Sequence, residues 1–310
     1  MHGIVLVDKP EGITSNEVVQ AVKRQVRPAK VGHTGTLDPA ASGLVVIMIG
    51  AATKALDFLD ESRKEYKLTI RLGEETDTDD RDGSVIGTGD PSGLTAEQIE
   101  EVLKGYRGVF DQVPPRFSAI KKNGVPLYKL ARKGIIQEVP PRKVEVFLLT
   151  VTGWEPPLLG LEMLCSKGTY ARALARDIGR DLGVGGRLDT LRRTASGPFK
   201  VDAALRLDEI TIGGKKVIAQ NLIDLAAALS HVPDVAALPF EIRRLIRGTP
   251  VVLPCSRFAL LKGSADQTPR LCKIVSGEGN LVILMRPEPR GADIALRPVR
   301  VFKTWEEESK

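Results

Sequence analysis

Apolar residues recur at a helical spacing near the N-terminus of the chain. Val18, Val22 and Val26 follow one another every four residues, which is typical of one face of an α-helix. Thr14 and Glu17 precede this stripe and have the spacing of a capping box, in which each side chain accepts a hydrogen bond from the other residue's backbone. The pattern therefore predicts an amphipathic helix that begins at Thr14.

Strand patterns flank that helix and return near the C-terminus. Residues 3–7 and 44–49 are continuous apolar runs, typical of buried strands, and residues 66–72 alternate as a half-buried strand does. Short apolar runs predict further strands at residues 249–253, 271–276, 281–285 and 299–301. A mixed α+β fold with a β-rich C-terminal part is expected.

Two further helices are predicted, over residues 95–103 and 170–182. In the second, an apolar set and a basic set each recur every four positions, about 200° apart around the axis. The sets are Leu174, Ile178 and Leu182, and Arg172, Arg176 and Arg180. Because no acidic residue lies four positions away on the basic stripe, its charges should repel one another, and we expect an anionic partner to cover them.

The composition is that of an ordinary globular protein with two domains. Of the 310 residues, 42% are hydrophobic and 27% are charged. At roughly 100–200 residues per domain, this length allows two domains. The segment His231-Val232-Pro233 ends a helix-like stretch, so we expect domains at residues 1–230 and 231–310.

The cysteines and the apolar runs limit where the protein could function. Cys165, Cys255 and Cys272 are odd in number and widely spaced, so they form neither a disulfide framework nor a zinc motif. The first apolar stretch is too short for a signal peptide, and no run approaches the ~18–20 residues of a membrane span. We therefore expect a cytoplasmic protein with no metal ion and no membrane association.

The net charge of +6 is unevenly distributed. Residues 104–143 contain ten Lys or Arg and two Asp or Glu, whereas residues 60–90 contain ten acidic and five basic residues. Basic blocks fit a polyanionic partner, because each phosphate neutralised releases counterions. Proline pairs bound residues 111–143, which should form an excursion from the core. Candidate phosphate-binding residues at its centre are Lys121, Lys122, Lys129 and Arg132.

The segment at residues 31–39 joins the predicted N-terminal helix to the strand at residues 44–49. It contains two glycines, His33 and the pair Asp38-Pro39, so its backbone is constrained. Loops held between rigid elements often carry catalytic groups. Asp before Pro is also a common turn starter, and an isolated histidine is often structural, so the residues alone leave both interpretations open.

Two other patterns imitate known binding motifs. Gly32-x-x-Gly35 has the form of the KH-domain tetrapeptide, but that motif joins two helices, and here a strand is predicted next. Residues 77–83 resemble a calcium loop, but the glycine stands at position 7 instead of 6, and position 12 is Thr88 instead of Glu. Neither pattern is expected to bind its usual ligand.

The glycine-containing loop carries the first part of a family resemblance. The run Gly32-His33-Thr34-Gly35-Thr36-Leu37-Asp38-Pro39, with Gly43, resembles the catalytic motif of the TruB family, the bacterial tRNA pseudouridine-55 synthases. Other segments resemble further family motifs, in family order, across residues 3–200. They are Val7-Asp8-Lys9-Pro10-x-Gly12-x-Thr14-Ser15, Lys64-x-Tyr66, Arg71-Leu72-Gly73-x-x-Thr76-Asp77-Thr78-Asp79, Gln112-Val113-Pro114-Pro115, Cys165-Ser166-Lys167-Gly168-Thr169-Tyr170-x-Arg172 and Leu191-Arg192-Arg193.

The resemblance implies a fold and a reaction. The fold would be the mixed α/β pseudouridine synthase domain with a largely antiparallel sheet, followed by a small PUA-like RNA-binding domain. The reaction would isomerise uridine to pseudouridine at position 55, in the T-stem-loop of tRNA. Because this reaction includes no redox step and no net hydrolysis, no cofactor is implied. We expect the protein to act on tRNA as a monomer without protein partners.

The resemblance also implies roles in the chemical step. Asp38 would be the nucleophile, a role that suits a carboxylate. Arg172 would pair with Asp38 and favour its charged form. Lys9 would support the loop that carries Asp38.

The remaining implied roles concern the RNA. Tyr66 would stack on the target uracil, and Tyr170 and Leu191 would line its pocket. His33 would contact the RNA loop beside the target nucleotide, which must leave its stack to be modified.

Three alternatives remain beside this interpretation. A non-catalytic RNA-binding module would share the basic blocks but would have no need for Asp38 facing RNA phosphates. The guide-RNA-dependent relatives assemble with accessory proteins, whereas the basic segment at residues 111–143 favours a stand-alone enzyme. A glycosidase would normally need a second carboxylate as acid or base.

Overall fold

A computed structural model describes residues 1–60, 62–117, 139–254, 269–275 and 281–302, together with the backbone of residues 121–122 and 125–126. Most of the strands in these residues belong to a ten-stranded sheet and a separate four-stranded sheet. In chain order the strands are β1 (Gly3–Lys9), β2 (Val31–His33), β3 (Ser42–Ile49), β4 (Arg63–Leu72), β5 (Glu74–Thr76), β6 (Val85–Thr88), β7 (Gly108–Gln112), β8 (Lys121–Lys122), β9 (Val125–Pro126), β10 (Arg142–Glu155), β11 (Leu158–Ser166), β12 (Gly186–Ser196), β13 (Phe199–Lys200), β14 (Leu205–Arg206), β15 (Val251–Pro254), β16 (Cys272–Val275), β17 (Leu281–Arg290) and β18 (Asp293–Val301).

The large sheet is mixed and mostly antiparallel, as predicted. Its strand order is β14-β1-β3-β12-β4-β11-β10-β7, with β2 beside β3 and β13 beside β12. Within the described part of the chain, β1 pairs with β14 and β3 with β12 in parallel, and the other pairs in this sheet are antiparallel. Strand β12 therefore lies between β3 and β4, which both precede it in the chain by more than a hundred residues.

Among the described residues, the first three helices form where the sequence predicts them, and no bounds were predicted for the others. They are α1 (Ser15–Val26), α2 (Ala96–Lys104), α3 (Ala171–Asp181), α4 (Leu207–Gln220), α5 (Leu225–Ala228) and α6 (Pro239–Ile246). Thr14 is the N-cap of α1, and the predicted capping box with Glu17 is present. Val18 and Val22 are fully buried, so the apolar stripe of α1 faces the core.

Strand β3 lies at the centre of the molecule and is buried on both faces, as predicted. Val45 and Ile47 pack in a cluster with the valines of α1, whereas Leu44 and Val46 pack on the opposite side of the sheet. Each such side chain contributes about 1.5–3 kcal/mol when fully buried. A separate cluster packs α2 and α3 against β4, β10 and β11. The loop before β3 is thus attached to one of the most buried strands in the fold.

The C-terminal residues form the predicted β-rich part, with the strand order β15-β18-β17-β16. Two of these strands are longer than the sequence predicted. Strand β17 continues to Arg290, and β18 begins at Asp293. Within the described residues, β16 pairs only with residues 281–285 of β17. No described strand pairs with that edge of β17 beyond residue 285, and proline is tolerated at an unpaired edge such as the one where Pro287 and Pro289 stand. A domain boundary near residue 231 stays a prediction.

Among the described residues, no helix has the length and the apolar character needed to cross a bilayer.

Candidate active site

The loop between β2 and β3 carries Asp38 and is hydrogen-bonded to the turn between β1 and α1 and to the first residue of α1. The Leu37 N–H donates to the Ser15 hydroxyl at 2.8 Å, and that hydroxyl donates to the Leu37 carbonyl at 3.1 Å. On the other side of Asp38, the Gly12 N–H donates to the Pro39 carbonyl at 2.8 Å. The neighbours of Asp38 on both sides are therefore held in place by the backbone and a buried serine.

Asp38 faces a cavity of about 330 Å³, which lies at the lower end of the range of ~300–1,000 Å³ found for small-molecule sites. The lining consists of Thr34, Gly35, Thr36, Leu37, Asp38, Lys64, Tyr66, Lys167, Gly168, Thr169, Tyr170, Ala171, Arg172, Leu191 and Arg193. Within this described lining, Asp38 is the one carboxylate, and four side chains are Lys or Arg. The cavity brings together Asp38, Tyr66, Tyr170, Arg172 and Leu191, which the sequence assigned to a single site.

Arg172 holds the Asp38 carboxylate from the first turn of α3. Its Nε lies 3.0 Å from Asp38 Oδ2, and its Nη1 lies 3.4 Å from Asp80 Oδ2. The guanidinium also donates to the carbonyls of Thr78 at 3.1 Å and Phe117 at 2.7 Å. Arg172 is 7% exposed, so this ion pair lies at the wall of the cavity with a fixed geometry.

Two strands and one helix position the other predicted residues. Tyr66 lies on β4 and Leu191 on β12, and these strands are adjacent and antiparallel. Tyr170 is the N-cap of α3, and its backbone exchanges two hydrogen bonds with the Gln112 side chain, at 2.8 and 3.1 Å. Burial raises the pKa of the Tyr66 hydroxyl, although Arg193 opposes that shift. Tyr66 is therefore a neutral aromatic surface at neutral pH.

Arg193 is a residue of this cavity that the sequence analysis did not single out. It is 2% exposed, and it donates to the carbonyls of Leu44 at 2.7 Å and Gly35 at 3.1 Å. Gly43 makes this arrangement possible, because it has φ +101° and a Cβ there would collide with the Arg193 backbone. The glycine of the family motif therefore serves the close parallel pairing of β3 with β12.

Lys64 and Gln112 were also missed as site residues. Lys64 is 8% exposed, and its ammonium donates to the Ser196 hydroxyl at 2.7 Å inside the molecule. Gln112 is 1% exposed and anchors Tyr170. Both belong to segments that resembled family motifs, and alternation on β4 places Lys64 on the same face as Tyr66. That alternation was the signal that could have identified Lys64.

The remaining predicted residues lie elsewhere. His33 is the last residue of β2, paired with Ile47, and it precedes the first lining residue, Thr34, without lining the cavity itself. The backbone of Lys121 and Lys122 forms β8, but nothing is described of their side chains. Lys129 and Arg132 lie outside the described residues.

We expected an external anion to cover the basic stripe of α3. That expectation was wrong, because the arginines of the stripe already have carboxylate partners within the protein. Arg176 pairs with Asp79 at 3.0 Å, and Arg180 pairs with Glu75 at 3.0 Å. The acidic segment between β4 and β6 folds back across the helix and supplies these carboxylates. Spacing along the helix could not reveal partners that come from a distant part of the chain.

Comparison of the whole fold identifies the class of protein. The protein shares its fold with the chain in "Crystal Structure of a Cbf5-Nop10-Gar1 Complex", with a TM-score of 0.72 at 25% identity over 98% of this chain and 86% of that one. A second solved chain, in an H/ACA RNP bound to a substrate RNA containing 2'-deoxyuridine, gives a TM-score of 0.71 at 24% identity over 97% of this chain and 85% of that one. The architecture is that of the pseudouridine synthases.

Sequence comparisons then identify the family. Residues 23–171 match the N-terminal domain of TruB family pseudouridylate synthases, and residues 172–221 match the tRNA pseudouridylate synthase B C-terminal domain. The tRNA pseudouridine synthase B of Syntrophotalea carbinolica is 42% identical, over 81% of this chain and 82% of that protein. The protein of the same name from Geobacter sulfurreducens is 43% identical, over 82% and 83%. The chain belongs to the TruB family.

Proposed function

We propose that this protein isomerises uridine to pseudouridine in tRNA, at position 55 of the T-stem-loop, with Asp38 as the nucleophile. One observation carries the proposal: a partly exposed carboxylate, paired with a buried arginine, faces a nucleoside-sized cavity beneath the family motif. Relatives that are 42–43% identical over four fifths of the chain are named tRNA pseudouridine synthase B. Their printed name supports the choice of tRNA as substrate.

The reaction breaks the bond between N1 of uracil and C1′ of ribose, turns the base and joins C5 to C1′. The C5 proton is lost and N1 gains a proton, so the net change is an isomerisation without redox chemistry or hydrolysis. Asp38 acts as the nucleophile, while Arg172 fixes the orientation of its carboxylate. The chemistry needs no cofactor and no metal ion.

The substrate uridine has to leave its stack and enter the cavity, as in other enzymes that modify bases. In the proposed complex, Tyr66 stacks on the uracil ring, and Tyr170 and Leu191 enclose it. His33, just before the lining loop, contacts RNA beside the flipped nucleotide. Water is excluded by these walls, which keeps the freed base from escaping before it is rejoined.

The basic segment at residues 111–143, with Lys121, Lys122, Lys129 and Arg132, binds the phosphates of the stem-loop. A protein with its own means of gripping tRNA acts as a monomer, without guide RNA or protein partners. Such an enzyme works in the cytoplasm, where its tRNA substrate is found. A glycosidase is disfavoured, because the described lining of the cavity offers one carboxylate where two are usually needed.

The proposal is tested with unmodified tRNA transcript in a buffer that contains a chelator and no added metal. Pseudouridine is mapped afterwards by adduct formation and sequencing. We expect one new pseudouridine, at position 55, and none in a transcript that carries cytidine there. Absence of any new pseudouridine would defeat the proposed activity, whereas modification at another position would defeat only the site assignment.

A further inference from the structure

Arg193 occupies an unusual place for a charged side chain. It lines the cavity, yet it is 2% exposed. Its Nε and Nη2 donate to the carbonyls of Leu44 and Gly35, and the guanidinium also interacts with the Tyr66 hydroxyl. All three of these partners are neutral, so they orient the guanidinium without balancing its charge.

Other arginines nearby have carboxylate partners. Arg192, the preceding residue, pairs with Asp8 at 2.7 Å, and Arg172 pairs with Asp38. Among the described residues, no carboxylate oxygen lies within 4.0 Å of an Arg193 nitrogen. A buried charge without a counter-charge is costly, because desolvation is not repaid by an ion pair. Such a charge is retained most simply where an anion arrives during the function of the site.

The reaction creates an anion in this cavity. When the bond between N1 and C1′ breaks, its electron pair stays on the uracil ring and spreads onto the ring oxygens. Attack of a carboxylate at C6 would place negative charge on the ring as well, so the conclusion does not depend on the route. A fixed positive charge in a water-poor site stabilises such a developing charge far better than solvent does.

We propose that Arg193 contacts the uracil ring and stabilises the negative charge that develops on it during the isomerisation. The inference rests on the proposed function. The base, and not the RNA backbone, is the group that reaches Arg193, because the guanidinium is enclosed between β3, β4 and β12. Backbone phosphates pass outside, where the exposed Lys167 stands at the rim of the cavity.

The test compares tRNA that carries uridine at the target position with tRNA that carries 5-fluorouridine there. Fluorine withdraws electrons and stabilises the ring anion by itself, so it should partly replace Arg193. In single-turnover reactions, Arg193→Gln should lower the rate of loss of the target nucleoside by about 10²-fold or more with uridine, the usual cost of one preorganised donor. The loss should be clearly smaller with 5-fluorouridine, and the affinity for tRNA should be unchanged.

Arg192→Gln is the matched control, because it removes the same charge from the same strand, at a side chain that is 41% exposed and bonded to Asp8. It should leave the ratio of the two rates at the wild-type value. If Arg193→Gln does not fold, Arg193→Lys is measured instead. Lysine keeps the charge but lacks the planar pair of donors, so its loss of rate should still be larger with uridine than with 5-fluorouridine.

The rate ratio for one variant does not depend on the amount of folded protein. Equal losses on both substrates would overturn the inference and leave Arg193 as a residue that only positions the loop and Tyr66. Failure of the wild-type protein to form pseudouridine would instead defeat the proposed function.

Discussion

The Lys9 ammonium group donates a hydrogen bond to the Pro39 carbonyl at 3.3 Å, so the first strand is tied to the residue that follows Asp38. The same group donates to the carbonyls of Pro10 at 2.9 Å and Ile13 at 2.8 Å, and the side chain is fully buried. The sequence assigned Lys9 only a supporting role. The geometry gives that role a definite form, because three hydrogen bonds from Lys9 connect the first strand to the turn after it and to the loop that carries Asp38.

Lys9→Met should lower the free energy of unfolding by about 1–3 kcal/mol, because buried carbonyls lose their donor. It should also slow turnover, since the loop is no longer held. Urea denaturation and single-turnover rates measure the two effects. Lys23→Met, an exposed lysine on α1, is the control and should change neither.

The same lysine gives the stability a pH dependence with a definite sign. Burial lowers the pKa of Lys9 to about 8 from 10.5, although Asp38 and Glu11 oppose the shift. Between these values the unfolded chain binds a proton that the folded protein has released, so this group makes the free energy of unfolding rise with pH. Below the lower value its contribution is flat. The stability difference between wild type and Lys9→Met should therefore grow from pH 8 to 10.5, and a constant difference would contradict the assignment.

Asp38→Ala should abolish turnover but leave tRNA affinity and stability nearly unchanged. A nucleophile acts in the chemical step, whereas affinity rests on phosphate contacts. Arg172 keeps Asp80 and two carbonyls as partners, so the substitution does not leave the buried guanidinium without a counter-charge. Single-turnover assays and filter binding test this, with the exposed Asp57→Ala as the control. Retention of more than a trace of activity would move the role to another group.

Tyr66→Phe and Tyr66→Leu should differ. Phenylalanine keeps the aromatic surface, so RNA binding should persist. Leucine cannot stack on the uracil, so the free energy of tRNA binding should weaken by about 1–3 kcal/mol. Titration of tRNA binding with both variants measures this difference. Equal losses in the two variants would mean that the hydroxyl, which interacts with Arg193, matters more than the ring.

Replacement of Lys121, Lys122 and Arg132 by alanine should make tRNA binding less sensitive to salt. The slope of log affinity against log salt should become shallower by up to about two units, at roughly 0.7 per phosphate for single strands. KM should rise more than kcat falls, because these contacts are made in ground and transition states alike. Removal of Arg206, Lys215 and Lys216, exposed cations at and on α4, controls for net charge. An unchanged slope in the first variant would contradict the proposed RNA contact.

Local patterns predicted part of the fold. The capping box at Thr14 and the alternation along β4 depend on neighbours in the chain, so they could be read from the sequence. Strand β12 was not predicted, because polar residues stand on both of its faces and the strand lacks an alternating apolar pattern. Leu191 and Arg193 face the cavity, whereas Arg192 bonds to Asp8 on the other side, so polar residues stand on both faces and hide the alternation.

The site itself depended on the family motif more than on pattern. Asp38 and Arg172 meet although they lie far apart in sequence, and only the resemblance predicted that contact. Where no motif helped, as for the partners of Arg176 and Arg180, the interpretation was wrong. Long-range pairing is set by the order of strands in the sheet, which a single sequence does not encode in its local spacing.

The insertion of β12 between β3 and β4 also affects how the sheet can form during synthesis on the ribosome. Both flanking strands leave the exit tunnel early, but β12 follows on the order of ten seconds later, at typical rates of synthesis of about 5–20 residues per second. During that interval the two strands have open edges, which invite pairing with other chains. Slow codons between β4 and β12 would prolong the interval during which these edges stay unpaired.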